Sequence, residues 1–386
     1  MSKHTRRVAI NVGGGYVPGM NAVVTGAAKA AAELGWEIVG IRDGFEGLLH
    51  ADRYANGGVV PLSRYFIENM DPAASGALGQ SPWVDPFHVR RVDKDEFVSE
   101  VDVSDEILDA LKSEGVDALI SVVGGRGLSI LYKLHRKGLN AVCIPRSLEN
   151  DIATTMVSFG FNSALTFTME MLDRNRQAAR ASRQIAVVEV LGAQAGWLAL
   201  QSGIAAGAEA ILIPEIPCDL DVVAAKLKAR MDPDRPSALV VVAEGAKFVE
   251  DPKADEEEPS SFRASLSPLA TGASGQHVIG RSGRAGNEVA NGLQRRLAEN
   301  TYSLALGPWA RGGTPSAVDR QLGLGYGAGA VQALNAGENG VMVAFNPPDI
   351  KSVPLAQAIN KIRTVPADSE MMKIARSIGI CLGDAS

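Results

Sequence analysis

Short apolar, β-branched runs alternate with alanine-rich or amphipathic stretches along nearly the whole chain, and this rhythm constrains the fold more than any other feature. Strand signals fall at 8–12, 37–41, 118–123, 141–144, 185–190, 210–213, 238–243, 302–306 and 340–344. Helical periodicity lies between them, at 20–34, 105–114, 128–137, 164–174, 197–206, 221–230, 288–299 and 317–336. Repeated strand–helix–strand units bury their strands in parallel sheets with helices on both faces. Right-handed crossovers then carry the strand-end loops to one rim, where ligands bind. The expected fold class is α/β, with doubly wound, Rossmann-like sheets. A chain of 386 residues can hold one large or two medium domains of this kind. Its 41 glycines suit many tight strand-to-helix turns.

Two stretches break the rhythm. Residues 54–97 show little periodicity and read as loops with a short excursion near a site. Residues 248–283 carry the Glu256–Glu258 run and then serine, glycine and proline, which reads as a flexible surface insertion. A net charge of −6 and a pI near 5.5, with no basic stripe or tail, argue against nucleic-acid or anionic-membrane partners. The three widely spaced cysteines, Cys143, Cys218 and Cys381, form neither a zinc spacing nor a disulfide framework, and fit a cytoplasmic protein. No long apolar stretch follows the polar N-terminus, so neither a signal peptide nor a membrane span is expected.

Chemistry concentrates in three strand-end loops. The first is Ala9-Ile-Asn-Val-Gly-Gly-Gly-Tyr16-Val-Pro-Gly-Met-Asn21. Its glycines let the backbone approach an anion, and the following helix offers free N–H groups and a positive dipole end. The second runs from Asp117 through Gly124-Gly125-Arg126-Gly127 to Ser129, and the third is Ala141-Val-Cys-Ile-Pro-Arg146-Ser-Leu-Glu149-Asn-Asp151. The second lacks the GxGxxG spacing of a dinucleotide site, and no serine or cysteine triad competes.

Together these loops resemble those of the phosphofructokinase superfamily, whose patterns are GGxxPGxN, GGDxS and PxTxDND. The resemblance continues through Ile41-Arg-Asp-Gly-Phe-Glu-Gly-Leu-Leu49, Phe159-Gly-Phe-Asn-Ser-Ala164, Val188-Glu-Val-Leu-Gly192, Ala243-Glu244-Gly245 and Leu306-Gly-Pro-Trp-Ala-Arg311-Gly-Gly-Thr-Pro315. It implies two lobes: residues 1–155 with 310–360 binding the donor phosphate, and 156–309 with 361–386 binding the acceptor. It also implies a phosphotransferase using ATP or pyrophosphate, usually with Mg²⁺, on a small phosphorylated molecule. Family members complete the sugar-phosphate pocket across a subunit interface, so a homodimer or homotetramer is expected. The alanine- and glycine-rich helices at 195–208 and 323–336 are candidates for close packing there.

The resemblance assigns the donor phosphates to Gly14, Gly15, Tyr16, Gly125, Gly127 and Arg146. Ser147, Leu191, Gly192, Glu244, Tyr302 and Arg311 fall at acceptor positions. Glu149 stands where an aspartate takes the proton from the sugar hydroxyl, one methylene longer than the family's base. Asp151 keeps the second carboxylate, a candidate metal ligand or positioning group. Arg126 replaces the metal-binding aspartate, and an arginine repels a cation but binds phosphate well. Arg126 therefore either replaces the metal's charge or pairs with a local carboxylate such as Asp151 or Glu149. Gly127 leaves room where pyrophosphate enzymes carry aspartate, whereas Arg146 is similar to their lysine, so the donor stays open between ATP and pyrophosphate. Ala193, Gln184, Tyr302 and Pro308 replace phosphate-contacting arginines or a histidine, while Arg90, Arg91, Arg174 and Arg176 are possible new anion contacts. The reading is a divergent phosphotransferase whose acceptor is not fructose 6-phosphate. Two alternatives stand beside it: a non-catalytic phosphate-binding homologue, and a family member turned to another phosphate-ester reaction.

Overall fold

The computed structural model describes residues 6–81, 85–92, 98–249 and 283–385. The chain divides into two compact units. The first comprises Met1–Leu148, Ile152–Ser163 and Arg311–Lys361, and the second Glu149–Asp151, Ala164–Ala310 and Ile362–Ser386. Most of the expected insertion, residues 250–282, lies outside the described residues.

The first unit is built on β1 (Arg7–Val12), β2 (Glu37–Ile41), β3 (Val59–Pro61), β6 (Ala118–Val123), β7 (Ala141–Pro145), β12 (Val341–Asn346) and β13 (Asp349–Pro354). Its sheet runs β13-β12-β7-β6-β1-β2-β3, parallel through the centre and antiparallel at both edges. A separate ribbon pairs β4 (Val89–Val92) with β5 (Val98–Val101). One sheet face, including Ala9, Leu119, Cys143 and Met342, packs on Ile107, Leu111, Leu128, Leu131 and Leu134.

Helices Met20–Glu33 and Ala317–Asn335 pack against each other at backbone range. A β-carbon on Gly26 would overlap the backbone of Leu324, and one on Gly327 the carbonyl of Val23. The glycines at 323–336 expected at a subunit contact are thus used inside this unit. Two small-residue helices gain dispersion contact only by close approach, and the partner available is the helix after β1.

The second unit holds β8 (Ile185–Val190), β9 (Ala210–Leu212), β10 (Ala238–Ala243) and β11 (Thr301–Ala305), all parallel, in the order β11-β8-β10-β9. Helices Leu220–Arg230 and Arg284–Leu297 cover one face through Val223, Leu227, Val289 and Leu293. Helix Trp197–Ala206 covers the other, and a β-carbon on its Gly203 would stand 2.6 Å from Ile211 Cδ1. Both units are therefore sheets covered by helices on both faces, the α/β architecture expected. Among the described residues no helix is long and apolar enough to cross a membrane.

Candidate active site

In the first unit the chain runs from β1 outward through β2 and β3, then returns to place β6, β7, β12 and β13 on the opposite side of β1. The strand order thus reverses between β1 and β6, the position where open α/β sheets bind ligands. Gly13 extends β1, donating its N–H to Val122 O at 3.0 Å. Gly14 turns the chain at φ 86° and donates to Ser81 O at 3.3 Å. Only glycine fits there, because a β-carbon would overlap the guanidinium of Arg146. A β-carbon on Gly15 would stand 3.1 Å from Arg311 Nη1. Two guanidinium groups therefore lie against two consecutive glycines.

Arg146 follows β7 and donates its backbone N–H to Val123 O at 3.1 Å. Its Nε and Nη2 donate to the Gly13 carbonyl at 2.9 and 2.5 Å, and the residue is only 7% exposed. Burial first, and the Arg311 charge second, lower its guanidinium to about 10, still protonated at neutral pH. Neither Arg146 nor Arg311 has an ion-pair partner among the described residues. A buried charge left uncompensated costs about 3–5 kcal/mol. Guanidinium groups held against a glycine turn in this way are suited chemically to an anion.

Arg126 begins helix Gly125–Arg136, whose N-cap Gly124 supplies no side-chain cap. Its Nη2 lies 3.3 Å from Asp85 Oδ2, with Arg126 exposed and Asp85 mostly buried. The local carboxylate that pairs with Arg126 is thus Asp85, rather than the expected Asp151 or Glu149. Gly125 faces open space. Gly127 offers no spare room, since a β-carbon there would collide with Val123, and an aspartate at 127 would displace the β6 side chain. Tyr16 is half exposed and its hydroxyl lies against Gly76. Ser147 donates its N–H to Phe159 O at 3.0 Å.

The second unit carries the other candidate residues. Glu149 Oε2 accepts the Ala193 N–H at 2.9 Å. Asn150 is buried at φ 55°, a left-handed conformation that asparagine tolerates. Arg363 holds this loop from the C-terminal segment, its N–H donating to Asp151 O at 2.8 Å and its Nη1 to Asn150 O at 3.3 Å. Its guanidinium stacks 4.1 Å from the Trp197 ring centre, and Trp197 Nε1 donates to Arg363 O at 2.7 Å. Burial lowers the Arg363 guanidinium. Glu215 Oε1 anchors the same segment, accepting from Val365 N–H at 2.8 Å and Gly196 N–H at 3.0 Å.

Leu191 is buried after β8, and Gly192 turns at φ 147° where a β-carbon would approach Ala195 O at 2.9 Å. Glu244 follows β10, half buried, its N–H on Val190 O at 3.0 Å. The Tyr302 hydroxyl donates to Asn175 O at 3.3 Å, and burial raises its pKa. Arg91, Arg174 and Arg176 are not spare anion contacts, because they pair with Glu106, Glu170 and Glu209. Sequence reasoning missed Asp85, Arg363 and the role of Trp197. Asp85 lies 41 residues before Arg126, and no local pattern links them.

The phosphofructokinase family model matches residues 7–334. The ATP-dependent 6-phosphofructokinase of Chloroflexus aurantiacus is 35% identical over 385 residues, covering 100% of this chain and 99% of the relative. This chain belongs to the phosphofructokinase family. A pyrophosphate–fructose 6-phosphate 1-phosphotransferase from Amycolatopsis mediterranei is 34% identical over 364 residues, covering 94% of this chain and 97% of that protein. Among solved structures, a pyrophosphate-dependent phosphofructokinase from Marinobacter aquaeolei superposes with a TM-score of 0.73 at 17% identity, covering 98% of this chain and 92% of that one. That last likeness establishes the fold.

A phosphofructokinase implies Mg²⁺, which takes hard oxygen ligands, chiefly carboxylates and phosphates. In this family member Arg126 and Arg146 follow β6 and β7, Arg311 ends the 3-10 helix Gly307–Arg311, and Asp85, the carboxylate paired with these arginines among the described residues, is tied to Arg126. No cluster of three or more His, Cys, Asp or Glu that could hold a metal occurs among the described residues. The donor set around Gly13–Gly15 does not fit a divalent cation.

Proposed function

We propose that this phosphofructokinase-family chain is a phosphotransferase that moves a phosphoryl group onto an alcohol of a small phosphorylated or polyhydroxylated molecule other than fructose 6-phosphate. The observation that carries the reading is the unpaired Arg146 and Arg311 against Gly14 and Gly15, a setting for donor phosphates. Relatives named for ATP and for pyrophosphate support either donor. Glu149 is the proposed base. It removes the proton from the acceptor hydroxyl as that oxygen bonds to phosphorus and the bond to the donor's bridging oxygen breaks. The Ala193 N–H fixes one carboxylate oxygen, which orients the group. Asp151, positioned through Arg363, is its proposed partner.

The acceptor differs from fructose 6-phosphate because Ala193, Gln184, Tyr302 and Pro308 lack the charges that such an acceptor's phosphate requires. Each missing charge-assisted contact forfeits about 1.5–3 kcal/mol. The Tyr302 hydroxyl, held on Asn175, does not replace one. Cytoplasmic operation as a homodimer or homotetramer belongs to the same proposal; the three free cysteines agree with the former. Light scattering that shows a monomer at micromolar concentration counts against the oligomer.

The Arg126–Asp85 pair favours a second reading, phosphate binding without turnover, because it consumes a carboxylate beside the donor loops. One experiment separates the two. The chain is incubated with ATP or pyrophosphate and a panel of polyols and sugar phosphates, and phosphorylated products are separated chromatographically. Turnover that falls at least about a hundredfold in Glu149→Gln supports the phosphotransferase. Binding of donor with no product from any acceptor supports the second reading.

A further inference from the structure

In phosphoryl-transfer sites a divalent ion bridges the donor's phosphate oxygens and offsets their charge. Here that positive charge is already part of the chain. Arg146 is buried, stands on the Gly13 carbonyl, and has no carboxylate to neutralise it among the described residues. Arg311 adds a second guanidinium over the next glycine, close enough that its charge helps to lower the pKa of Arg146. The N–H groups of Gly15 and Tyr16 make no hydrogen bond among the described residues, so the same turn offers backbone donors. Guanidinium groups match the geometry of phosphate oxygens with paired N–H donors, which a metal ion does not. A cation brought to this turn would be repelled by both arginines, neither of which has a carboxylate partner among the described residues.

We propose that the Gly13–Gly15 turn binds a diphosphate oxyanion through Arg146 and Arg311 without a divalent cation. The proposal rests on the phosphate-site reading above and adds the metal requirement to it. It concerns the ligand's binding, whichever acceptor the chain serves.

Inorganic pyrophosphate is the probe. The full chain is titrated calorimetrically with it, once in EDTA and once in excess Mg²⁺, and the wild type is compared with Arg311→Gln and Arg146→Gln. Binding in EDTA within about threefold of the affinity in Mg²⁺, weakened about tenfold or more by Arg311→Gln, is the expected result. Arg311 is exposed, so its variant should fold even if the buried Arg146→Gln does not, and circular dichroism checks both. Pyrophosphate binding that appears only with Mg²⁺, or that is indifferent to Arg311→Gln, overturns the proposal while leaving a phosphate site in place. Absence of binding under both conditions removes the phosphate-site reading and this proposal with it.

Discussion

Arg146 lies across Gly14 so closely that position 14 has no room for a methyl group. Gly14→Ala must adopt φ 86° and displace a buried guanidinium, two separate penalties. A loss of about 1–3 kcal/mol in urea denaturation is expected. Pyrophosphate affinity should fall as well. Gly35→Ala is the control, since Gly35 has φ 69° with nothing within 4 Å of an added β-carbon. It should cost stability through the backbone alone and leave pyrophosphate binding intact; equal binding losses in both variants would detach Gly14 from the site.

The Arg126–Asp85 pair is exposed on one side, so Arg126→Ala should change stability by less than about 1 kcal/mol. Arg126→Asp is different, because it sets a second carboxylate against Asp85. That variant should lose stability at low salt and regain it when Mg²⁺ or Ca²⁺ is added, read as the urea midpoint with and without metal. A midpoint that ignores the metal would mean the two side chains do not face each other.

Arg363 ties the C-terminal segment to the Asn150–Asp151 backbone while stacking on Trp197. Arg363→Ala should cost about 1–3 kcal/mol, shift the tryptophan emission, and raise hydrogen exchange at residues 149–151. Arg363→Lys keeps the charge but loses the flat stacking surface, and should recover only part of the protection. Unchanged exchange at 149–151 in both variants would show that the segment does not hold the loop.

Burial brings the Arg146 guanidinium down to about 10, nearer neutrality than a free arginine. The charged form binds phosphate, so affinity gains nothing from lowering the pH below neutrality and declines as pH rises through about 10. Titrations from pH 7 upward should show this decline in the wild type and a flatter profile in Arg146→Gln, provided that the variant folds.

The strands and helices of both sheets were legible because parallel strands buried on two faces read as continuous apolar runs, as β6 and β10 do. The short edge strands β3 and β13 were not, because their half-exposed residues carry neither an apolar run nor clean alternation. At the site, the glycine turn and Arg146 stood out by sequence, whereas what Arg126 does depended on Asp85, a residue from the stretch with least periodicity. Gly127 looked like room for a ligand and proved to be room for Val123. Arg363 lies beyond residue 334, where the family pattern stops, so no motif pointed to it. In each case the missing information was a contact between distant segments, which periodicity does not carry.

The most direct test of the account is steady-state turnover of fructose 6-phosphate, with ATP and with pyrophosphate, on a preparation shown to bind pyrophosphate. The account predicts turnover well below the ordinary enzyme range of roughly 1–1,000 per second with both donors. A rate within that range, with either donor, would contradict the assignment of a different acceptor.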